Sequence, residues 1–422
     1  MMQAGKNCLI KGTTDLAERN SPVVSRDDTV STQHPLHGAS DADTLVARAK
    51  QEPLSDGGLR TAQLLAQTLA IAPDHHEARV LQERLHQMFV PRWHFPMLAD
   101  AGRNSAYAKA IAAKVKPGDI VLDIGCGAGL TAMMAARAGA KHVYTCEQQP
   151  LIAQAAIKVI EDNGLSDRIT VIPKLSHTLV AGVDIPEPAD VVISEIVDTV
   201  LLGEGALATL THAMHKLAKP QARAIPERGT LMARPVQGDG LMALMRPQQA
   251  EGFDLSAFHR FASVAQLTPN DVAACALTPL GAATELFQFD FLRPNVRPAR
   301  RTTRLTCKKA GTIHAVLVSF KMELAPGILL SNDLRSDGHW GRTAFLLDRP
   351  HVAAPGSHVT LTAQHDASQL SLTVLDNIPA TGWLKRALDM PQHLWDAPHI
   401  ASKTRKEGTS TAPKPARKKL AG

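Results

Sequence analysis

The spacing of apolar residues divides this sequence into stretches of different character. Residues 1–40 are polar and show no apolar period, so we predict that this segment is disordered. Residues 41–90 place leucine and alanine near the helical period of about 3.6 residues, with breaks at Gly57 and Pro73. The pattern therefore predicts a short helical region at 41–90.

Part of this helical region carries a further signal. The run LAIAPDHHEARVLQERL resembles the second half of a tetratricopeptide repeat, a motif built from a pair of packed helices. A plain helical hairpin accounts for the same pattern equally well. We therefore describe residues 41–90 as tetratricopeptide-like.

The pattern changes at Pro117, where short apolar runs begin to alternate with helical segments. The runs DIVLDIG, HVYTCE, RITVIPK and ADVVISE predict strands, and the helical segments between them close at Gly139 and Gly164. Such alternation predicts a parallel sheet with helices on both faces. We assign residues 91–225 to this α/β core.

The helical signal fades after Pro226. The runs TLMARPV, TRLTCKKA, TIHAVLVSFKMEL, HVTLTAQ and LSLTVL predict short strands separated by proline and glycine turns. We predict a β-barrel or sandwich over residues 226–398. A partly helical excursion interrupts it at about 244–272.

Charge and cysteine content narrow the functional classes. Much of the formal charge of +6 lies in the tail at 399–422, which we predict to be disordered. Weak contact with nucleic acid or another acidic partner is the alternative. The five cysteines form no C-x-x-C pair, which argues against a disulfide framework and fits a reducing, cytoplasmic location.

Other classes are disfavoured by what the sequence lacks. We expect no membrane span and no signal peptide, because no long apolar run is present. His212 and His215 are spaced to share one helix face, but no third ligand accompanies them, so we expect no metal site.

The main chemical signal is VLDIGCGAGL, between a predicted strand and a predicted helix. Asp123, Gly125, Gly127 and Gly129 form D-x-G-x-G-x-G, and glycines there allow a tight turn and close approach of the backbone to a ligand. Leu130 stands where the dinucleotide pattern G-x-G-x-x-G requires its third glycine. The loop instead resembles that of S-adenosylmethionine-dependent methyltransferases.

An acid follows the next predicted strand. Glu147 ends HVYTCE about 20 residues after the glycine loop, and a carboxylate at this position can accept hydrogen bonds from both ribose hydroxyls of a bound nucleoside. Cys126, within the loop, is interpreted as a small filler rather than a nucleophile.

A pair of glutamates follows the fourth predicted strand. Glu195 and Glu204 lie in VVISEIVDTVLLGEGAL, at the sheet edge where open α/β folds bind ligands. Two converging carboxylates suit a planar guanidinium, whose donors pair with them bidentately. They would also offset the repulsion between a sulfonium methyl donor and an arginine cation, which amounts to several kcal/mol in a low-dielectric pocket.

These motifs together resemble the protein arginine methyltransferases, over about residues 94–373. The chain is similar to the branch with E-x-x-D-x-x-x-x-G-E-G in the glutamate loop and tetratricopeptide-like helices in front. The resemblance implies a Rossmann-like core bound to S-adenosylmethionine, then a β-barrel, with an arm at 244–272 that docks a second copy. Because the chain carries one glycine loop and one glutamate pair, a homodimer is expected.

The resemblance also implies roles for single residues. In HFPML, His94 and Met97 face the cofactor, and Met97 shapes the arginine pocket. Arg103 binds the carboxylate of the cofactor. His339 and Trp340 belong to the threonine-histidine-tryptophan loop, where His339 can accept a proton after methyl transfer and Trp340 forms a wall of the pocket.

Four positions depart from or qualify this pattern. Gly338 replaces the threonine of the threonine-histidine-tryptophan loop, and Ser176 stands where the family often has an acid beside adenine. Ala206 replaces a methionine typical of enzymes that make asymmetric dimethylarginine, which favours a mono- or symmetric dimethyl product. Asp198 adds a third acid that favours basic surroundings of the target arginine.

Two alternatives to a protein arginine methyltransferase stay open. The same chemistry could act on a small guanidino compound or another amine. The chain could also be a scaffold that binds cofactor or partner without turnover. The intact glycine loop and glutamate pair favour an enzyme, with protein or peptide arginine as the acceptor.

Overall fold

A computed structural model describes residues 36–294 and 297–375 of the chain. The described chain forms two compact units: residues up to Glu52 with Arg60–Glu83, and Pro53–Leu59 with the residues from Arg84. Residues 1–35 and the basic tail lie outside the described residues, as do the last residues of the predicted 226–398 domain.

The helices have the following bounds. They are α1 (Leu36–Gln51), α2 (Leu59–Ile71), α3 (His76–Phe89), α4 (His94–Ala99), α5 (Ala101–Lys114), α6 (Leu130–Arg137), α7 (Pro150–Asp162), α8 (Ala206–His212), α9 (Asp239–Met245) and α10 (Pro269–Ala274). A π-helical turn, Ala213–Leu217, continues α8.

The first unit consists of α1 and parts of α2 and α3. Its apolar residues at helical spacing, including Val46 and Leu65, are buried. Asp43 in the middle of α1 accepts a hydrogen bond at 3.0 Å from His75, which lies just before α3. Helix α1 begins at Leu36, ahead of the predicted boundary at residue 41, and the tetratricopeptide-like description stays a prediction.

The second unit contains the parallel sheet. Its strands are β1 (Ile120–Ile124), β2 (His142–Cys146), β3 (Ile169–Ile172), β4 (Ala189–Ser194) and β5 (Ala218–Ile225). They pair in the order β3-β2-β1-β4-β5, all parallel. Every residue of the central strand β1 is buried, Asp123 included, which explains why its other four residues are all aliphatic. The predicted Rossmann-like core is confirmed.

The remaining strands build antiparallel sheets. They are β6 (Arg228–Gln237), β7 (Gln249–Ala250), β8 (Phe253–Asp254), β9 (Val264–Leu267), β10 (Thr278–Pro279), β11 (Thr284–Asp290), β12 (Ala299–Thr306), β13 (Gly311–Ala325), β14 (Ile328–Ser331), β15 (Arg342–Ala353), β16 (His358–His365) and β17 (Leu370–Val374).

These strands form a β-barrel-like domain. A seven-stranded sheet follows the order β10-β6-β13-β15-β9, with β11 on β6 and β14 on β13, and β12-β16-β17 form a three-stranded sheet. One apolar core runs from Ile193 in the parallel sheet to Phe320 and Leu361 in the antiparallel sheets. The predicted β-rich domain is confirmed, and this shared core fixes its position against the α/β core.

No helix in the part of the chain that the structure describes is both long and apolar enough to cross a lipid bilayer. Among the same residues, no group of three or more histidine, cysteine, aspartate or glutamate side chains is placed to hold a metal ion.

Candidate active site

The glycine loop joins β1 to α6 in a conformation that L-residues with side chains rarely adopt. Gly125, Gly127 and Gly129 have φ angles of +82°, +51° and +79°. A Cβ on Gly125 would lie 2.5 Å from Cγ2 of Ile196, whereas one on Gly127 would meet nothing closer than 3.9 Å. Gly125 is therefore required by packing, and Gly127 leaves open space beside the loop.

Two acids lie close to this loop in sequence or space, and one of them bonds to it directly. Glu147, directly after β2, accepts hydrogen bonds from the backbone N–H groups of Gly127 at 3.1 Å and Gln149 at 2.9 Å. Asp123 lies inside β1, is 1% exposed, and accepts the hydroxyl of Thr145 at 2.7 Å. Burial raises the pKa of Asp123 to about 6, although the hydrogen bonds oppose it.

A cavity of about 380 Å³ opens beside the loop. The predicted site residues that line it are His94, Met97, Arg103, Gly125, Gly127, Glu147, Ser176, Glu195 and Glu204. The structure therefore brings most of the predicted cofactor residues together with both glutamates.

Several predicted residues do not line this cavity. They are Asp123, Gly129, Asp198, Ala206, His339 and Trp340. Asp123 lies behind the loop, and a Cβ on Gly129 would face Ile160 at 3.1 Å rather than the cavity. Ala206 starts α8 and is fully buried, so no methyl group of this residue faces the cavity.

Two residues that line the cavity, Arg103 and Glu195, form an ion pair. Nη2 of Arg103 donates to Oε2 of Glu195 at 2.5 Å, and both side chains are almost fully buried. Burial raises the pKa of Glu195 to about 7, although the Arg103 charge opposes this shift. The other oxygen of Glu195 makes no hydrogen bond within the described chain, and Nε of Arg103 is buried without a partner there.

Glu204 is held differently, on the loop between β4 and α8. Its φ of +57° lies in the left-handed region, which is strained for a residue with a side chain. It makes no hydrogen bond or ion pair with the described residues. Partial burial raises the pKa of Glu204, and the negative charge of Asp198 adds to the shift.

Asp198 holds the backbone of this loop. Its Oδ1 accepts the N–H groups of Val200 at 3.0 Å and Leu202 at 3.1 Å. This is the geometry by which aspartate stabilises turns. Asp198 does not line the cavity, and its expected influence on the target arginine stays a prediction.

Asp100 is a residue that the sequence argument missed. Its Oδ2 accepts both the backbone N–H and Nδ1–H of His339, each at 2.9 Å, with the ring proton assigned to that nitrogen because its partner is a carboxylate. Its Oδ1 accepts the N–H of Arg103 at 2.8 Å and caps α5. The sequence could have marked Asp100 as a helix-capping residue, because it comes directly before α5. Its contact with His339 could not be anticipated, because the two residues are 239 positions apart.

Burial and hydrogen bonding together shift the pKa values of Asp100 and His339. Burial favours protonation of Asp100, but the hydrogen bonds from Arg103 and His339 outweigh it and lower the pKa of Asp100. Burial also lowers the pKa of His339, and Asp100 offsets only part of this effect. Both directions favour a neutral imidazole beside a carboxylate, a pair whose Nε2 can accept a proton.

His339 and Asp100 line a second cavity, of about 840 Å³, and Trp93 lines both cavities. Trp340 is 6% exposed, donates from Nε1 to the carbonyl of Val197 at 3.2 Å, and meets Phe320 edge to face. Trp340 thus connects the loop that carries His339 to the loop that carries the glutamates.

Comparison with known proteins identifies the family. The family model described as ribosomal protein L11 methyltransferase (PrmA) matches residues 107–226. An arginine N(omega)-methyltransferase of Streptomyces achromogenes subsp. streptozoticus is 40% identical over 273 residues, which cover 64% of this chain and 75% of that protein. The chain belongs to the arginine N-methyltransferase family. The prediction of an S-adenosylmethionine-dependent methyltransferase is thereby confirmed.

Further matches within the arginine N-methyltransferase family are more distant. Protein arginine N-methyltransferase 7 of Danio rerio is 31% identical over 310 residues, covering 67% of this chain and 45% of that protein. The chain thus spans about half the length of these relatives.

Solved structures of the family share the fold. The Trypanosoma brucei PRMT1 enzyme-prozyme complex with AdoHcy aligns with a TM-score of 0.59 at 24% identity, over 67% of this chain and 92% of that one. PRMT6 aligns with a TM-score of 0.52 at 24% identity, over 67% and 97%.

Proposed function

We propose that this chain transfers a methyl group from S-adenosylmethionine to a terminal guanidino nitrogen of arginine in proteins or peptides. The observation that carries the proposal is that Glu195 and Glu204 line the same cavity as Gly127 and Glu147. A cofactor cradle and a pair of carboxylates for a cation therefore adjoin, as an in-line transfer requires.

The cavity fits S-adenosylmethionine in three respects. Nε of Arg103 is a buried donor without a partner in the described chain, which suits the carboxylate of the amino-acid part. The open space beside Gly127 admits close approach of a ligand to the backbone. Glu147 offers carboxylate oxygens to ribose hydroxyls, and Ser176 lines the cavity where adenine is expected.

Gly127→Ala is expected to weaken S-adenosylmethionine binding about tenfold or more, because the methyl group fills the space next to the loop. Isothermal titration calorimetry would measure the Kd. Gly164→Ala is the matched control, since Gly164 also has a positive φ, of +66°, with nothing within 4 Å and no place in the cavity. Equal affinities in the two variants would refute the assignment of the loop.

The two glutamates provide what the acceptor needs. When bound, the cofactor supplies an electrophilic methyl group on a positively charged sulfur. The free oxygen of Glu195 and the carboxylate of Glu204 can accept guanidinium N–H groups, orienting one nitrogen and offsetting the repulsion between two cations. The methylated nitrogen must then lose a proton, and a carboxylate with a pKa of about 7, such as Glu195, is suited to accept it.

We also propose a mono- or symmetric dimethyl product. The support is the alanine at position 206 in place of the methionine typical of asymmetric enzymes, and the burial of Ala206 means that this support rests on residue type alone.

A homodimer is proposed because Phe253, Phe258 and Phe261 in the predicted arm are each at least 65% exposed, and such side chains suit an interface. The cytoplasmic location and the nucleic-acid contact of the tail stay predictions.

Free arginine is a second candidate acceptor. The Streptomyces relative is named for arginine without reference to protein, and this chain covers 75% of it, against 45% of the Danio rerio protein arginine N-methyltransferase 7. The charge of Asp198 favours the first candidate, since it would attract basic residues around a target arginine in a polypeptide.

A mass-spectrometric assay separates the candidates. The chain would be incubated with methyl-labelled S-adenosylmethionine and either an arginine-rich peptide pool or free arginine, with Glu195→Gln as control. We expect label on peptide arginine, absent in the variant, with fragment masses that show mono- or symmetric dimethylation. Label on free arginine alone would establish the second candidate, and asymmetric dimethylarginine would refute the proposed product.

A further inference from the structure

Arg342 is a buried cation whose described contacts are all with backbone carbonyls. It is the first residue of β15 and is 1% exposed. Its guanidinium donates to the carbonyls of Trp340 at 2.6 Å, Asp333 at 2.8 Å, and Ser336. The carboxylate of Asp333 is turned to Arg234, at 2.7 Å.

Burying such a charge is costly. Removing a guanidinium from water costs several kcal/mol unless its donors find partners, and here Nε has none in the described chain. An apolar side chain would fill the same volume without this cost. The arrangement is therefore explained better by what the guanidinium holds than by net stabilisation.

The three carbonyls belong to one segment, residues 333–340, which has no helix or strand between β14 and β15. A segment without its own backbone ladder needs side chains to fix its shape. Asn332, just before the segment, donates to the carbonyl of Gly341 just after it at 2.9 Å, and to that of Thr199 on the glutamate loop at 3.1 Å. Arg342 binds along the segment itself.

The same segment presents His339 to Asp100 and Trp340 to Val197. Arg342 bonds to Trp340, the neighbour of His339, so a change in the guanidinium reaches the imidazole through one peptide unit. The planar fork of arginine directs its N–H groups at several carbonyls at once, which the single ammonium of lysine cannot do.

We infer that Arg342 is a positioning residue for methyl transfer, whose guanidinium shapes segment 333–340 so that His339 meets Asp100. Arg342 itself does not line the cavity that contains the glycine loop and the two glutamates. The kinetic part of this inference rests on the proposed function.

Arg342→Gln and Arg342→Lys would test it, with Arg246→Gln as matched control. Arg246 is also a buried arginine of the barrel-like domain. Its hydrogen bonds within the described chain go to the carbonyls of Ala262 and Leu347, and none goes to segment 333–340. Unfolding temperature and S-adenosylmethionine Kd would be measured for all three. If Arg342→Gln does not fold, Arg342→Lys keeps the charge and supplies the comparison.

The kinetic readout is the effect of Arg342→Gln alone and in a His339→Gln background. We expect kcat to fall by up to about 10²-fold in the wild-type background, with cofactor Kd unchanged, and no further loss when His339 is already replaced. Because Arg246 lies in the predicted arm, size-exclusion chromatography would first confirm that Arg246→Gln keeps the oligomeric state of the wild type. Arg246→Gln should then retain kcat even though it lowers the unfolding temperature. Equal losses of kcat in the Arg342 and Arg246 variants, or a full additional loss in the His339→Gln background, would overturn the inference.

An NMR readout does not depend on activity. The ring resonances of His339, assigned by their absence in His339→Gln, should show a low-field Nδ1 proton bound to Asp100. We expect this signal to be lost in Arg342→Gln and kept in Arg246→Gln. Its persistence in Arg342→Gln would overturn the positioning role, whereas a wild-type chain inactive on every arginine acceptor would refute the proposed function alone.

Discussion

Glu204→Gln is expected to lower the rate of methyl transfer to arginine by about 10³-fold while leaving the Kd of S-adenosylmethionine within about twofold of wild type. The substitution keeps the shape of the side chain but removes the charge. A neutral amide can no longer offset the repulsion between the donor and acceptor cations, and its NH₂ group would oppose a guanidinium donor. Single-turnover kinetics and calorimetry would measure the two quantities.

The matched control is Glu187→Gln, since Glu187 is exposed, pairs with Lys141 on the surface, and does not line the cavity. It should leave both quantities unchanged. Loss of cofactor binding in Glu204→Gln would assign Glu204 to the cofactor instead of the guanidinium. Retention of transfer would remove Glu204 from the chemistry.

Arg103→Met is expected to lower the free energy of unfolding by about 3–5 kcal/mol, because it leaves Glu195 as a buried acid without its partner. Cofactor affinity should fall as well, since the donor proposed for the carboxylate is removed. Chemical denaturation followed by circular dichroism would measure the first effect, and calorimetry the second.

A double variant separates the two roles of Arg103. Combining Arg103→Met with Glu195→Gln removes both charges, so we expect stability to recover in large part while cofactor affinity stays low. Lys158→Met, which breaks an exposed pair with Asp162, should leave stability unchanged. If Arg103→Met were as neutral as Lys158→Met, the buried ion pair would not contribute to the fold.

The fold could be predicted for elements whose own sequence pattern shows their burial. Strands β1 and β4 are buried on both faces, so their mostly apolar runs predict strands without knowledge of their neighbours. Strand β9 was not predicted as part of the barrel-like domain. Only alternate residues of β9 are buried, and its four residues are stabilised by pairing with β15, a contact that periodicity cannot report.

The same limit applies to the site. Gly127, Glu195 and Glu204 could be proposed from local motifs, and the structure places them on one cavity. The contacts between distant residues could not be predicted from local motifs. Arg103 and Glu195 are 92 positions apart, and Asp100 and His339 are 239 positions apart. The positions of Ala206 and Asp198 also needed the structure, because burial and turn hydrogen bonds depend on the three-dimensional path of the loop.

The contact between Asp100 and His339 has a consequence for synthesis of the chain. When translation has passed Thr209, every described residue that lines the cofactor cavity has been made. His339 is added 130 residues later, which takes roughly ten seconds at ordinary elongation rates. A nascent chain therefore acquires every described residue of the cavity, Glu195 and Glu204 included, well before Asp100 can gain its imidazole partner.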